Sequence, residues 1–110
     1  MTDIPFRVEP TAPGVGALVY EAPRGGRVRI TVRAGDRPTG GHTIAVSRIA
    51  RSGPDLVIVC AITGPVPGAI VTQVLTSPAQ TVTVDEIAVR GVRSATLLDQ
   101  ASRELARISA

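Results

Sequence analysis

The chain contains no tryptophan and no lysine, and it has a single cysteine and a single histidine. The lone Cys60 excludes an internal disulfide, and one cysteine with one histidine cannot form a His–Cys metal cluster. Phe6 and Tyr20 are the only aromatic residues. The core therefore has to be built from Val, Ile, Leu and Ala, which favour pleated sheets over large ligand pockets. We expect no cofactor.

All basic residues are arginine, and the net charge of the chain is +3. Arg27, Arg29 and Arg33 fall on one face of a predicted strand, which raises the hypothesis of phosphate or nucleic-acid binding. The alternative is a solvated face whose arginine stems cover apolar surface and discourage aggregation at sheet edges. No aromatic residue is interleaved to stack on bases, so we favour the second interpretation and expect no nucleic-acid partner.

Targeting signals and membrane segments are also scarce. The longest apolar run, residues 56–62, is far too short to span a bilayer, so no membrane partner is expected. The sequence from Met1 has no basic start followed by an apolar stretch and a small-residue cleavage site. We therefore expect a cytoplasmic location for the chain as written, or an extracellular one if a signal has been removed.

The clearest pattern is the alternation of strands. A length of 110 residues suits one domain, residues 1–110. Residues 27–33 alternate apolar with polar side chains, as a strand with one buried face does. Ile49 is out of phase with Ile44 and Val46, so a β-bulge is predicted between them, near Ser47.

Other segments complete the predicted sheet. Residues 56–62 are apolar throughout and predict a central strand covered on both faces. Residues 70–76 and 87–92 are interpreted as two further strands. Together with short N-terminal strands, they predict an all-β fold, an antiparallel immunoglobulin-like sandwich or barrel of about seven or eight strands.

The C-terminal segment, residues 95–108, follows a different period. Its apolar residues recur at helical spacing: Leu97, Leu98, Ala101, Leu105 and Ile108. Ser94 is placed to cap the start of a helix, and Asp99 could pair with Arg103 on its exposed side. The spacing predicts one α-helix, docked on the sheet or serving as a dimer surface.

Three linked motifs occupy the middle of the chain. They read Pro38-Thr39-Gly40-Gly41-His42, then Pro67-Gly68 followed by Val71-Thr72-Gln73, and finally Leu75-Thr76-Ser77-Pro78. Their order and spacing resemble the C-terminal domain of PrcB, a protease-complex subunit, over residues 27–84. His42, Ala69 and Ala79 stand where that pattern has tyrosine, cysteine and an aromatic residue.

This resemblance implies a noncatalytic protein-interaction module that binds or stabilises a protease or protease complex. Its Gly/Pro-rich loops would supply the partner-binding residues, namely Pro38, Thr39, Gly40, Gly41, His42, Pro65, Pro67 and Gly68. The alternative is a structural or oligomer-forming domain, such as a homodimer, that uses strand edges or the C-terminal helix. His42 is a candidate pH switch, or simply a polar cap on its turn.

A second, smaller resemblance is to chagasin-type cysteine protease inhibitors, which block a cleft with three loops. It rests on the Pro38-Thr39-Gly40 turn alone. If successive strands alternate in direction, this turn and Pro67 share one end of the fold. The same alternation places Ser77 at the other end and brings residues 85–92 back to the first end as a third loop.

No catalytic constellation emerges from the sequence. A dyad of Cys60 and His42 would require a mid-strand thiol to meet a loop imidazole. Asp85 and Glu86 are adjacent, and neighbours on a strand point to opposite faces. We therefore expect a protein that is not an enzyme.

Overall fold

A computed structural model describes all residues, 1–110, and shows an all-β chain of nine strands with one 3₁₀ turn. The strands are β1 (Thr2–Asp3), β2 (Arg7–Glu9), β3 (Leu18–Tyr20), β4 (Arg27–Arg33), β5 (Thr43–Ser52), β6 (Asp55–Thr63), β7 (Ala79–Asp85), β8 (Ser94–Leu98) and β9 (Glu104–Ser109). The structure contains no helix that is long and apolar enough to cross a membrane.

The strands form two sheets around one core. The five-stranded sheet has the order β1-β5-β6-β8-β9, and the four-stranded sheet has the order β2-β7-β4-β3. All pairs are antiparallel except β6 with β8, which run parallel. The prediction of an all-β fold is confirmed, but the expected purely antiparallel arrangement is wrong, because β8 returns to β6 after a crossover through the 3₁₀ turn, Glu86–Val89.

The core is aliphatic, as the composition requires. Val28, Ile30 and Val32 of β4 are fully buried, which confirms the predicted alternation. Together with Ile58 and Cys60 of β6, they belong to one cluster of 16 buried residues. The outward side chains of β6 are only partly buried, and no layer covers them, so the prediction that this strand is covered on both faces is wrong.

A bulge in β5 confirms the interpretation of its broken alternation. The register with β6 shifts between Val46 and Arg48, which leaves Ser47 as the extra residue. Ile44, Val46 and Ile49 are consequently all buried on the core side of the sheet. The out-of-phase apolar residue therefore marked a real irregularity of the strand.

The predicted C-terminal helix over residues 95–108 is wrong: the structure has the hairpin β8–β9 there. The carboxylate of Asp99 accepts the backbone N–H groups of Ala101 and Arg103, both at 2.9 Å, and this closes the turn. Ser102 adopts a positive φ of 62° in the same turn. Ser94 begins β8 and does not cap a helix, and Asp99 does not form the predicted pair with Arg103.

Two other predicted strands are absent. Residues 70–76 form no strand, and residues 87–92 contain the end of the 3₁₀ turn and an irregular connection. Both segments flank β7, whose two neighbouring positions are already occupied by β2 and β4. The strand count still exceeds the predicted one, because residues 94–109 form two strands in place of the helix and β1 is an additional short strand.

Candidate functional site: two paired loops

The sequence-predicted site residues lie on two loops at one end of the fold. The first loop, residues 34–42, connects β4 to β5 and carries Pro38, Thr39, Gly40, Gly41 and His42. The second loop, residues 64–78, connects β6 to β7 and carries Pro65, Pro67 and Gly68. The structure brings the two loops side by side, as expected from the alternation of strand directions.

Backbone hydrogen bonds join the two loops. Arg37 and Thr76 exchange both of their backbone bonds, at 2.7 and 2.8 Å, as an antiparallel pair does. Further along, the N–H of Gly40 donates to the carbonyl of Thr72 at 2.9 Å. The second loop therefore runs antiparallel along the first.

Side chains add to this pairing. The hydroxyl of Thr76 donates to the carbonyl of Thr39 at 2.8 Å. The hydroxyl of Thr39 in turn lies 3.2 Å from Nε2 of His42. A Cβ at Gly64 would lie 3.3 Å from the imidazole of His42, so this ring packs directly on the start of the second loop. His42 is therefore hydrogen-bonded within the first loop and packed against the second.

The glycines of the first loop allow this close approach. A Cβ at Gly40 would lie 2.5 Å from Oγ1 of Thr72, closer than side chains tolerate. Gly41 has a φ of +81°, and a Cβ there would lie 3.2 Å from both Pro65 and Val71. The two glycines thus allow the two loops to pack closely.

The second loop exposes large apolar side chains. The exposed fractions are 72% for Val66, 102% for Ile70, 60% for Val74 and 66% for Leu75. Val66 and Ala69 close the turn at its tip through a backbone bond of 3.0 Å. Single exposed apolar residues are ordinary, but four of them on one loop set this loop apart from the rest of the surface.

These apolar side chains were not among the predicted site residues. Residues 70–76 were predicted as a strand, whereas they belong to a loop in which Gln73 is exposed. One signal was available: no charged residue occurs between Asp55 and Asp85. Two strands explain part of that stretch, but the second loop within it is exposed and still uncharged.

Charged groups are present only at the base of the loop pair. The hydroxyl of Ser77 donates to the carboxylate of Asp36. Arg37 is half-buried, and its Nη2 donates to the carbonyl of Ala34 at 3.1 Å, while its buried Nε has no partner. This base holds the loops against the end of β4 and leaves the apolar tip free of charge.

Other loops do not join this site. Asp85 pairs with Arg27, at the opposite end of β4 from the first loop, so the segment 85–92 lies at the far end of the fold. Ser77 lies beside Asp36, at the near end. Both predicted positions are wrong, because residues 70–76 do not form the strand on which the count of directions depended. The three-loop arrangement of chagasin-type inhibitors is therefore not formed.

The arginines of β4 are engaged within the chain. Arg27 pairs with Asp85, and Arg29 with Glu21 through two hydrogen bonds of 2.6 and 2.8 Å. Hydrogen bonding to Arg29 holds the pKa of Glu21 below its ordinary value of 4.5. Arg33 donates to backbone carbonyls at 3.0–3.3 Å, those of Ala12, Val15 and Gly16. Arg29 and Arg33 thus fasten N-terminal segments onto the four-stranded sheet, and Arg27 joins β4 to β7.

The groups considered for catalysis lie apart from the loop tip. Cys60 is fully buried in β6, and burial raises the pKa of its thiol. His42 is engaged with Thr39. No group of three or more His, Cys, Asp or Glu side chains is arranged to hold a metal ion.

Comparison with known proteins agrees with the loop pattern. Residues 29–85 match the family described as PrcB C-terminal, a span that includes both loops and strands β5 and β6 entirely. No significant match was found among curated proteins or solved structures. Because the match covers half of the chain, from β4 to β7, the chain belongs to the PrcB C-terminal family.

Proposed function

We propose that the chain is a noncatalytic protein-interaction module that binds its partner through the paired loops. The observation that carries this proposal is the exposure of Val66, Ile70, Val74 and Leu75 on an uncharged second loop. The scaffold behind them, which we take to be an immunoglobulin-like sandwich, acts as a rigid support for the loops.

The loops are suited to binding because they are already ordered before a partner arrives. Pro65 and Pro67 restrict the second loop, and the hydrogen bonds of Arg37 and Gly40 fix it against the first. Association costs conformational entropy whenever a loop has to be ordered. A loop that is already held in place offers its apolar side chains at a lower entropic cost.

The partner we propose is a protease or a subunit of a protease complex. The support for this choice is membership of the PrcB C-terminal family, whose name refers to a protease-complex subunit. The sequence-predicted residues Pro38, Thr39 and His42 would support the second loop, and its apolar side chains would make the contact. Binding and stabilisation, without chemistry, would be the contribution of this domain.

A pull-down from lysate and culture medium of the source cells, read by mass spectrometry, tests this function. The wild type is compared with Ile70→Asp, which places a charge on the most exposed apolar residue of the loop. Ile87→Asp is the matched control, since Ile87 is 77% exposed but lies in the 3₁₀ turn at the other end of the fold. We expect a protease or its subunit with the wild type and Ile87→Asp only. Equal capture by all three variants would show that the loop is not the site.

Gly40→Trp is unsuitable for this comparison. Its side chain would collide with Thr72, so the substitution would separate the loops as well as block their surface. Loss of binding would then have two explanations. Ile70→Asp avoids this because the side chain of Ile70 is fully exposed and the substitution removes no hydrogen bond.

The second candidate function is self-association through a strand edge. β9 is the outer strand of the five-stranded sheet and pairs only with β8. The N–H of Ala110 donates to Arg93 on the β8 side, so alternation directs the N–H of Arg107 away from β8. A strand of six residues with such an edge is a template for another chain.

Sedimentation velocity over a range of concentrations tests this second function. Arg107→Pro removes an outward N–H while keeping the β8–β9 bonds, and Arg107→Ala controls for the loss of charge. A dimer abolished by proline but not by alanine would favour self-association. Truncation after Arg93, suited to a terminal helix, is not usable because it would remove β8 and expose β6.

A further inference from the structure

The second loop contains a run of backbone groups without partners. None of the six N–H groups of residues 70–75 donates a hydrogen bond within the chain. Of the six carbonyls, only that of Thr72 accepts a backbone bond, from Gly40. Exposed loop amides can bond to water, but six in succession beside exposed apolar side chains is the surface of an unpaired strand.

The residues of this run are those that strands prefer. Ile70, Val71, Thr72 and Val74 are β-branched, and such side chains pack well on a pleated surface. Their sequence predicts a strand, yet the chain provides only partial pairing on one side, through Gly40 and Arg37. A conflict between local preference and the folded environment is expected where another molecule completes the structure.

The contact with the first loop leaves a free edge on the second loop. The carbonyl of Thr72 and both backbone groups of Thr76 face the first loop. Gln73 and Leu75, on either side of a bend at Val74, make no backbone hydrogen bond to the first loop, so their backbone groups are left for another partner. This outer edge lacks the devices that normally protect edges, since residues 70–75 include neither charge nor proline.

We propose that residues 70–75 bind an extended, apolar segment of a partner protein by strand addition. The backbone of Gln73 and Leu75 would pair with the added strand, and the side chains of Val74 and Leu75 would contact its apolar residues. The absence of charge from Leu56 to Val84 favours an uncharged segment, because a charged one would find no counter-charge along the loop. This inference rests on the proposed function and adds the mode of binding and the chemistry of the partner.

The test uses a random dodecapeptide library displayed on phage and selected on the wild-type chain. Synthetic copies of the enriched peptides are then titrated into isotope-labelled protein, and amide hydrogen exchange is followed by NMR. Strand addition predicts enrichment of peptides with alternating apolar residues. It also predicts slower exchange for the amides of Gln73 and Leu75, by at least about tenfold at saturation.

A matched pair of variants separates backbone pairing from side-chain contact. Gln73→Pro removes one outward N–H without breaking a bond in the chain, and Gln73→Ala removes the same side chain but keeps the N–H. We expect proline to weaken peptide binding at least about tenfold and alanine to change it less than about twofold. Unchanged thermal unfolding of both variants establishes that the fold is retained.

The outcomes distinguish this inference from the proposed function. If Ile70→Asp and Val74→Asp abolish peptide binding but Gln73→Pro does not, the loop is the binding surface and strand addition is wrong. If none of the variants affects binding, the proposed function fails as well. The absence of enriched peptides would also overturn the inference. So would self-association of the chain at the concentration used for selection, if Gln73→Pro abolished it, because a second copy of the chain would then occupy the edge.

Discussion

The side-chain amide of Gln100 pairs with the backbone of Ile62 as a neighbouring strand would. The N–H of Ile62 donates to Oε1 of Gln100 at 3.0 Å, and Nε2 of Gln100 donates to the carbonyl of Ile62 at 2.7 Å. β8 accompanies β6 only as far as Val59, so no strand reaches Ile62 on this side. Gln100, in the turn after β8, extends the pairing of the sheet by one residue.

Gln100→Ala tests this pairing. The substitution removes both hydrogen bonds between Gln100 and the backbone of Ile62. Because the site is exposed, water can replace them, and we expect the free energy of unfolding to fall by about 1 kcal/mol. Urea denaturation measures the change. Gln73→Ala is the matched control, because Gln73 is an exposed glutamine with no hydrogen bond in the chain, and we expect its effect to stay within about 0.5 kcal/mol. Equal losses of stability in Gln100→Ala and Gln73→Ala would show that the bonds between Gln100 and Ile62 do not stabilise the sheet.

The central strands could be predicted because their side-chain pattern has one explanation. In β4 the apolar residues alternate strictly, and in β5 the out-of-phase Ile49 requires the bulge that the structure contains. The C-terminal segment has two explanations. Leu97 and Ile108 fit one helical face, but they also fit the inward positions of two short strands. The choice between a helix and two strands depends on whether an edge of β6 is available for β8 to pair with, and only the tertiary structure reveals this.

The position of the candidate site could be predicted from the sequence, but the apolar side chains that it exposes could not. Alternating strand directions placed Gly40 and Pro67 at the same end, and the loops do meet there. The exposed apolar residues were missed because Ile70 and Val74 have the composition of a buried strand. Whether such a segment is buried depends on the number of strand positions available beside it, and composition does not encode that number.

A buried pair of threonines gives a second prediction. Thr31 and Thr81 face each other across β4 and β7, with their hydroxyls 2.8 Å apart, and Thr81 also accepts the N–H of Ala12 at 2.8 Å. Thr81→Val would leave that buried N–H without a partner. We expect the free energy of unfolding to fall by about 1–3 kcal/mol, measured by urea denaturation.

Thr31→Val is the control for this change. It leaves the bond between Ala12 and Thr81 intact, so we expect a loss of about 1 kcal/mol or less. In the double variant Thr31→Val/Thr81→Val, the buried hydroxyl left alone by the first change is also removed. The double variant should therefore be no less stable than Thr81→Val alone. Additive losses would show that the two hydroxyls do not form a shared network.

The thiol of Cys60 is expected to be unreactive in the folded chain. It is fully buried, and burial raises its pKa above the ordinary value of 9.0, with Asp99 adding a smaller effect in the same direction. Both access and thiolate formation are therefore suppressed. At pH 8, a thiol-reactive chromophore should label the native chain at least about a hundredfold more slowly than the chain in guanidinium, with the rate limited by opening of the fold. Rapid labelling of the native state would contradict this role as a core residue.

A comparison of alanine substitutions at Gly41 and Gly68 distinguishes the effect of backbone strain from the effect of contact between the loops. Their φ angles are +81° and +84°, so alanine would be strained at either position by about 1–2 kcal/mol. At Gly41 the added Cβ would also lie 3.2 Å from Pro65 and Val71, whereas at Gly68 nothing lies within 4 Å. We therefore expect Gly41→Ala, but not Gly68→Ala, to accelerate amide exchange at Gly40 and Thr76, whose N–H groups join the two loops. Equal exchange in the two variants would show that the loops remain paired without the close approach at Gly41.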